Sequence, residues 1–393
     1  MSREANKREL FKLDETVNNI AMEIKRLEED REKLGAIFKE AKRDMTFSVL
    51  SPQITSDILE HRFFSNVDPT NLFGLRVAGV DGGVVTRSYQ SIDLILTRAV
   101  GAIFTYGTNG RLEVTYFPEE TPVPNIISNL QPSPIPEFEL RTSIERILCE
   151  LQLAIELLDY AKVDLLVLDG SIVPQLSDKP PTYSILARKY EKIIELYEQL
   201  YKSCIDSGTL LAGVIEDSRS IRLMQIIGRL IPHLIEKVPA AKNLLDFDYR
   251  KTVQHTRDTD FLQRVLDLSE RTFIFRYAEP AADTTVFSDF GNKTLADMVN
   301  VFYIKTVEYD TPIRVEYLAT ESNKVMTATK IASVILPLSY HHAQYGIPSV
   351  LIEADARAHL LDGDIDVIYD QLVHKTGNPL VLMKLRRERR PFK

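Results

Sequence analysis

Two short apolar runs, each ending in Asp-Gly, place the strongest constraint on this chain. The first is Leu75–Gly83, with the sequence LRVAGVDGG, and the second is Val163–Ser171, with the sequence VDLLVLDGS. Runs of this length and composition are typical of buried strands, and glycine allows a turn that β-branched residues disfavour. The pattern therefore predicts that Asp81 and Asp169 each lie at the end of a strand, where the chain turns sharply.

Two such carboxylates would form a metal site if their strands are neighbours in one sheet. Hard divalent cations such as Mg²⁺ and Mn²⁺ prefer oxygen ligands, and two or three carboxylates from separate elements suffice. A pair of these ions stabilises both the attacking and the leaving oxygen of a phosphoryl displacement. The alternative is that each Asp-Gly is only a turn after a strand. The occurrence of two at parallel points in the layout favours the metal site.

A third ligand is expected from the helix predicted over Leu140–Ala161, between the two strands. Glu145 and Glu150 both flank the apolar stripe of this helix, so either one can lean over the sheet edge toward the aspartates. Glu156 is a further flanking position. The alternative for each of them is a solvated helix glutamate, and helical periodicity alone leaves the choice open.

Composition bounds the class of protein. The 393 residues include 44% hydrophobic and 26% charged residues, with a net charge of −8, as in ordinary soluble domains. No apolar run reaches a membrane span of about 20 residues, and the N-terminus lacks a signal-peptide core, so we expect a cytoplasmic protein. Cys149 and Cys204 lie among apolar neighbours and are expected to be buried thiols. The absence of Gly-x-x-x-x-Gly-Lys and Gly-x-Ser-x-Gly argues against a nucleotide-driven motor and a serine hydrolase.

The periodicity divides the chain into four segments. Apolar residues from Leu10 to Phe38 recur on alternating three- and four-residue steps, which predicts a coiled-coil-like helical arm over residues 1–45. This arm either packs along its own domain or docks to a partner or a second copy. Residues 46–73 are predicted to be a linker, residues 74–375 one α/β domain, and residues 376–393 a final strand and a basic tail.

Within the domain, strand patterns come first and then alternate with helices. Three strands with short connections, including a hairpin turn at Asn109-Gly110, predict an antiparallel meander. A Pro-rich surface loop is predicted over Pro118–Pro136, and a last strand over Pro379–Lys384. The later alternation of helices and strands implies parallel crossovers, so the sheet should be mixed, with helices on its faces.

Six short motifs follow one another in a specific order. They are AGVDGG (Ala78–Gly83), RxxxExxxA (Arg146–Ala154), LLVLDGS (Leu165–Ser171), GVIEDSRS (Gly213–Ser220), IRVEY (Ile313–Tyr317) and GIPSVLIEADARA (Gly346–Ala358). Each motif is weak alone, but their order resembles the NurA nuclease family of archaea and bacteria. The resemblance extends over roughly residues 74–375, most of the chain.

The resemblance implies a fold and a function. The fold is a ribonuclease-H-like mixed sheet, with three antiparallel strands followed by alternating helices and strands, an N-terminal coiled-coil-like helix and C-terminal elaborations. The function is metal-dependent DNA nuclease activity: 5′ to 3′ exonuclease action on single- and double-stranded DNA, with endonuclease action on single strands. It would use two Mn²⁺ or Mg²⁺ ions. Family members form ring-like homodimers and act with the hexameric HerA helicase-translocase in resection of DNA ends.

The motifs also carry the family's site onto this chain. By position, Asp81 and Asp169 match the family's metal-binding aspartates. Glu150 matches its glutamate, because Arg146 and Ala154 lie where the family pattern places them. The fallback ligands are Glu145 and Asp217.

Two positions depart from the family pattern. Glu216 stands where many members have a lysine, so a cationic phosphate contact is expected either to be missing or to move to Arg219. Aligned on Ile-Glu-Ala-Asp, the family's tyrosine and histidine positions hold Ile347 and Asp355 here. We expect Asp355 to replace the histidine as a catalytic group, with Tyr345 close by. The predicted DNA contacts are Arg87, Arg219 and Tyr345.

Two other functions are compatible with the sequence. A phosphotransferase of the actin and sugar-kinase type would use Val80–Gly83 as a phosphate-binding hairpin turn, but residues 240–393 do not obviously repeat the core as such a protein should. A non-catalytic coiled-coil adaptor that clamps DNA or a translocase would keep the acidic residues as vestiges. The basic tail, Lys384–Lys393, fits either attraction to phosphates or a solubilising end.

Overall fold

A computed structural model describes residues 3–42, 46–47, 55–278, 287–291, 295, 297–377 and 379–386, with side chains from residue 12 onward. The helices are α1 (Arg3–Ala41), α2 (Ile135–Tyr160), α3 (Ala187–Ser207), α4 (Arg222–Lys237), α5 (Tyr249–His255), α6 (Asp258–Val265), α7 (Lys324–Ser339), α8 (Ser349–Ala358) and α9 (Asp362–Thr376). The strands are β1 (Phe64–Asn66), β2 (Arg76–Ser88), β3 (Asp93–Tyr106), β4 (Leu112–Phe117), β5 (Asn125–Asn129), β6 (Leu165–Asp169), β7 (Leu210–Ile215), β8 (Glu270–Thr272), β9 (Phe275–Arg276), β10 (Val299–Ile304) and β11 (Ile313–Leu318).

These strands form one mixed sheet. The main order is β1-β8-β10-β11-β7-β6-β2-β3-β4, with β5 on β3 and β9 on β10. The pairs β2–β6 and β6–β7 are parallel, and the other described pairs are antiparallel. The predicted α/β class and the β2–β3–β4 meander are therefore confirmed. The sheet is larger and more antiparallel than the sequence indicated.

Helices cover both faces because successive side chains on the central strands point to opposite sides. Val80 and Leu168 lie in an apolar cluster with α2 and α3. Val77 and Val167 lie in a second cluster with α7 and α8. A third cluster joins α1, α4 and α6 to the β10 side of the sheet. The centre of the sheet is thus buried on both faces. Polar side chains can reach solvent near the ends of its strands.

The prediction that the chain turns sharply at Gly82–Gly83 is wrong. β2 continues to Ser88 and pairs with β3 at every residue, with Asp81 opposite Val100. Asp81 therefore lies within a strand and is buried. Thirteen ladder positions hold the segment extended, which outweighs the turn preference of two glycines.

Three peripheral segments also differ from the sequence interpretation. The predicted loop over Pro118–Pro136 contains strand β5, which pairs with β3. The predicted linker, residues 46–73, contains β1, which pairs with β8. The prediction of a strand over Pro379–Lys384 is wrong: Leu380–Leu382 is a 3₁₀ turn. Its carbonyls accept hydrogen bonds from the turn after β2 (Gln90 N to Met383 O, 2.9 Å), so this segment caps that turn and adds no strand.

Helix α1 behaves differently along its length. Its C-terminal end, with Leu34 and Phe38 fully buried, packs on α6 and the third cluster. The N-terminal half exposes half or more of each apolar side chain in the stripe, at Leu13, Val17, Ile20 and Ile24. The side chain of Leu10 and residues 387–393 of the basic tail lie outside the described residues. Among the described helices, none is both long enough and apolar enough to span a bilayer.

Candidate metal centre

The register of the central strands brings Asp81 and Asp169 together. β2 and β6 pair in parallel from Val77 opposite Leu165 to Val80 opposite Leu168, and the two aspartates are the next residues of each strand. Neighbouring strands lie about 4.8 Å apart. The two carboxylates that the sequence singled out therefore stand side by side, on the sheet face covered by α8.

Asp355 reaches the same place from α8. The helix lies directly on β2, because a Cβ on Gly79 would be 2.6 Å from the carbonyl oxygen of Val350, and one on Gly83 would be 2.1 Å from that of Ala358. Only glycine permits so close an approach of a helix backbone to a strand. The charge of Asp355 lies close enough to Asp81 to raise the pKa of that carboxyl.

Glu150 comes from the opposite face, on α2. Its side chain lies over Gly82, where an added Cβ would be 2.4 Å from Cγ of Glu150. The guanidinium of Arg146, one helical turn earlier, donates to Oε1 of Glu150 at 2.6 Å. Glu145 points elsewhere and forms an ion pair with Lys189 of α3. Of the two helix glutamates that the sequence left open, the structure brings Glu150 to the aspartates.

Burial and mutual repulsion raise the pKa of Asp81, Glu150 and Asp169. Burial raises the pKa of Glu150 to about 8, and the charges of Asp81 and Asp169 add to the shift. Burial likewise raises the pKa of Asp169 to about 7, with Asp81, Glu216 and Asp355 adding repulsion. The pKa of Asp81 is raised for the same reasons. Arg146 lowers the pKa of all three carboxyls but does not offset burial and repulsion.

A second acidic group borders the centre. The hydroxyl of Tyr345 donates to Oε1 of Glu216 at 3.1 Å, and burial together with Glu216, Asp169 and Asp355 raises the pKa of Tyr345 to about 12. A cleft of about 550 Å³ opens beside it; Asp217 and Arg219 are among its lining residues, with Arg146. The structure thus places Tyr345 at the centre and Arg219 next to it.

Arg87 lies apart from this group. It sits near the far end of β2, six residues beyond Asp81, and its guanidinium forms ion pairs with Asp362 and Asp366 of α9. A contact with DNA at this position would have to compete with two carboxylates, so a role for Arg87 in DNA binding stays a prediction.

A sequence-family comparison identifies the family of the chain. A family profile for the NurA domain matches residues 75–360, well over half of the chain. The chain belongs to the NurA domain family. No curated protein sequence matched it.

Solved NurA structures resemble the chain at low sequence identity. The crystal structure of the NurA nuclease from Sulfolobus solfataricus matches with a TM-score of 0.51 and 14% identity, covering 96% of this chain and 98% of that one. A crystal structure of NurA with manganese matches with a TM-score of 0.42 and 10% identity, covering 91% and 98%. One of NurA bound to dAMP and manganese matches with 0.37 and 11%, covering 88% and 94%. The shared fold rests on the first of these.

The donor set of this NurA domain fits a hard divalent cation. Asp81, Glu150, Asp169 and Asp355 offer only carboxylate oxygens, the ligands that Mg²⁺ and Mn²⁺ prefer. In the described part of the chain, no three His, Cys, Asp or Glu side chains already converge as a closed ligand cluster. Glu150 is instead held by Arg146. The site therefore suits a divalent cation by the chemistry of its oxygen donors and by its excess of negative charge.

Residues that the sequence analysis left without a role also belong to this NurA site. Arg146 is the cation that pairs with Glu150. The i, i+4 spacing of these two residues on one helix indicates such an ion pair from the sequence alone. Glu316 of β11 accepts a hydrogen bond from Ser171 Oγ at 2.6 Å, directly beyond Asp169. Nothing in the local sequence links β11 to the β6 turn, because they are 145 residues apart.

Proposed function

We propose that this protein is a metal-dependent DNA nuclease centred on Asp81, Glu150, Asp169 and Asp355. The observation that carries the proposal is that these residues lie near one another on β2, α2, β6 and α8, where burial and repulsion raise the pKa of Asp81, Glu150 and Asp169. Such a concentration of negative charge in a partly buried place has a physical use when a cation binds there. We infer that the cofactor is Mn²⁺ or Mg²⁺, with two ions.

A bound divalent cation would neutralise the phosphodiester and the departing 3′ oxygen and activate a water molecule for attack. The protein's own residues prepare this. Asp81 and Asp169 supply ligand oxygens from rigid neighbouring strands. Arg146 orients Glu150 over Gly82, where the glutamate can be a third ligand. Asp355, whose charge lies close enough to Asp81 to raise the pKa of that aspartate, takes the place of the family's histidine.

The cleft beside the centre offers a path for the DNA strand. Arg219 lines it together with Arg146 and Arg314 and provides positive charge close to Glu216, which stands where other family members have a lysine. Tyr345 restrains Glu216 by its hydrogen bond. We propose that Arg219 contacts a backbone phosphate and that Tyr345 lies beside the bound strand.

Finer properties follow from family membership. We propose a ribonuclease-H-like core, 5′ to 3′ exonuclease polarity with endonuclease action on single strands, a homodimer, and action with a HerA-type hexameric translocase at DNA ends. The apolar stripe on the N-terminal half of α1 is a surface that a second copy or the translocase can cover.

The test is cleavage of linear DNA by the purified protein. Duplexes and single strands carrying a label at either the 5′ or the 3′ end are incubated with Mn²⁺, Mg²⁺ or chelator, beside Asp81→Ala. We expect degradation that needs the metal and is lost in the variant. Early release of a 5′ label as a mononucleotide would support 5′ to 3′ polarity, and early release of a 3′ label would contradict it.

The alternatives predict different results in the same assay. The phosphotransferase interpretation required a hairpin turn at Val80–Gly83, and the continuous strand β2 removes that support. The adaptor interpretation predicts a folded protein that binds DNA without cleaving it, even with the translocase added. That outcome would refute the nuclease proposal.

A further inference from the structure

The strand motif IRVEY contains a buried ion pair close to the acidic centre. Arg314 and Glu316 lie two residues apart on β11 and therefore on one face of the sheet. They are only 6% and 2% exposed, and Arg314 Nε donates to Oε1 of Glu316 at 2.9 Å. A buried pair is weak evidence for stability, because desolvation offsets much of the Coulomb attraction. The other hydrogen bonds of the two side chains indicate the role of this pair.

Glu316 holds the turn that follows Asp169. Its second oxygen, Oε2, accepts from Ser171 Oγ at 2.6 Å and from the backbone N of Ile172 at 3.2 Å. The turn is also pressed onto β7, because a Cβ on Gly213 would be 2.4 Å from the carbonyl oxygen of Gly170. The position of Asp169 at the end of β6 is thus fixed by hydrogen bonds to a strand two places away in the sheet.

Arg314 holds the turn that follows β7. Its guanidinium donates to Ser220 Oγ at 3.2 Å and to the hydroxyl of Tyr303 at 3.3 Å. That hydroxyl donates in turn to Asp258 at 2.8 Å. The ring of Tyr277 lies 5.4 Å from the guanidinium. One ion pair therefore ties together the two turns that carry Asp169 and, after β7, Glu216 to Arg219.

We infer that the Arg314–Glu316 pair positions the metal centre by locking the turn after β6 against the turn after β7. The pair does not touch the proposed ligands themselves, so both are positioning residues. Preorganised supporting hydrogen bonds of this kind typically change metal affinity or activity by about 10- to 100-fold when they are removed. This inference rests on the proposed function.

The chain supplies a matched control in a second buried Arg–Glu pair. Arg271 of β8 donates to both oxygens of Glu60 at 2.6 Å, and Glu60 also accepts from the backbone N of Ile274 at 3.1 Å. This pair repeats the arrangement of Arg314 and Glu316, with a carboxylate that holds both an arginine and a backbone amide. It lies near the far edge of the sheet, remote from Asp169 in strand order.

The experiment compares Mn²⁺ binding in Glu316→Gln, Glu60→Gln and wild type, with free Mn²⁺ measured by electron paramagnetic resonance in a titration of chelator-treated protein. Thermal unfolding and DNA cleavage are followed in parallel. We expect Glu316→Gln to weaken Mn²⁺ affinity about tenfold. Glu60→Gln should lower the unfolding temperature while leaving Mn²⁺ affinity within about twofold of wild type.

Ser171→Ala keeps the inference testable if Glu316→Gln does not fold. It removes the hydrogen bond to Glu316 and the one that Ser171 Oγ accepts from the backbone N of Val173 at 3.1 Å, and it leaves the ion pair intact. We expect about a threefold loss of Mn²⁺ affinity. If both variants fold, the double variant should lose less Mn²⁺ affinity than the two single losses combined, since the two variants share the contact between Ser171 and Glu316.

The possible failures are distinguishable. Mn²⁺ affinities of Glu316→Gln and Ser171→Ala within twofold of wild type, or an equal loss in Glu60→Gln, would overturn the positioning role while wild-type cleavage stands. Wild-type protein that binds no Mn²⁺ would overturn both the positioning role and the proposed metal centre. A wild type that binds Mn²⁺ but cleaves no DNA would refute the proposed function alone.

Discussion

The Asp-Gly pair within β2 and the Asp-Gly pair after β6 use their glycines in different ways. Gly82 and Gly83 keep extended backbone and leave room for Glu150 on one side and for the backbone of α8 on the other. Gly170 has a φ of +101°, and a Cβ there would meet nothing within 4 Å. Gly82 and Gly83 serve close approach and Gly170 serves a turn, yet the aspartates that precede them lie side by side on neighbouring strands.

If both aspartates serve one centre, Asp81→Asn and Asp169→Asn should be almost equally damaging. We expect each to lower the rate of Mn²⁺-dependent cleavage by more than about 100-fold, because an amide is a poor ligand for a hard cation. The control is Asp164→Asn, just before the opposite end of β6, where the side chain of Asp164 accepts a hydrogen bond from the backbone N of Arg76 at 2.8 Å. A strong loss in one aspartate variant alone would separate the two motifs in function.

Alanine at Gly82 should mainly reduce cleavage, whereas alanine at Gly170 should mainly reduce stability. Gly82→Ala places a methyl group against Glu150 and should reduce cleavage about 10-fold or more, since it displaces a proposed ligand. Gly170→Ala should destabilise the fold by about 1–3 kcal/mol through backbone strain in the turn after β6, with a smaller loss of cleavage than Gly82→Ala. Denaturant unfolding and cleavage rates measure the two effects. Equal profiles for both variants would contradict the distinction.

Raised pKa values predict that the chelator-treated protein becomes less stable as pH rises. Glu150 and Asp169 titrate at about 8 and about 7 in the folded state, against 4.5 and 3.8 as reference values. Between these values the folded state binds more protons than the unfolded state, so the unfolding free energy falls with pH, by up to about 1.4 kcal/mol per pH unit for each group. Glu150→Gln should flatten the curve between pH 5 and 8. A stability that rises over this window would exclude the shifts.

The smallest effect on activity is expected on the neighbouring turn of α2. Glu145 pairs with Lys189, whose side chain is 40% exposed, so Glu145→Gln should destabilise the fold by only about 1 kcal/mol. Cleavage should stay within about twofold of wild type. Glu150→Gln, tested beside it, should lose cleavage strongly. The reverse ranking would return Glu145 to the metal centre.

The sequence by itself determined which central strands are buried and singled out the two aspartates that follow their apolar runs. The apolar runs before Asp81 and Asp169 are local patterns with a period set by the strand, and so they could be read without the fold. The family motifs also pointed to Glu150 by the spacing of Arg146. Local turn preference was misleading at Gly82–Gly83, because pairing with β3 and contact with α2 and α8 keep that segment extended.

The tertiary structure alone decided the contacts between residues far apart in the chain. Asp355 meets Asp81 only because α8 lies on β2, and Glu316 meets Ser171 only because β11 joins the sheet beside β7. Burial then set the charge state of the group, by raising the pKa of Glu150 and Asp169. Hydrogen bonds and desolvation depend on positions in space. Periodicity along the sequence does not indicate which distant segments come into contact.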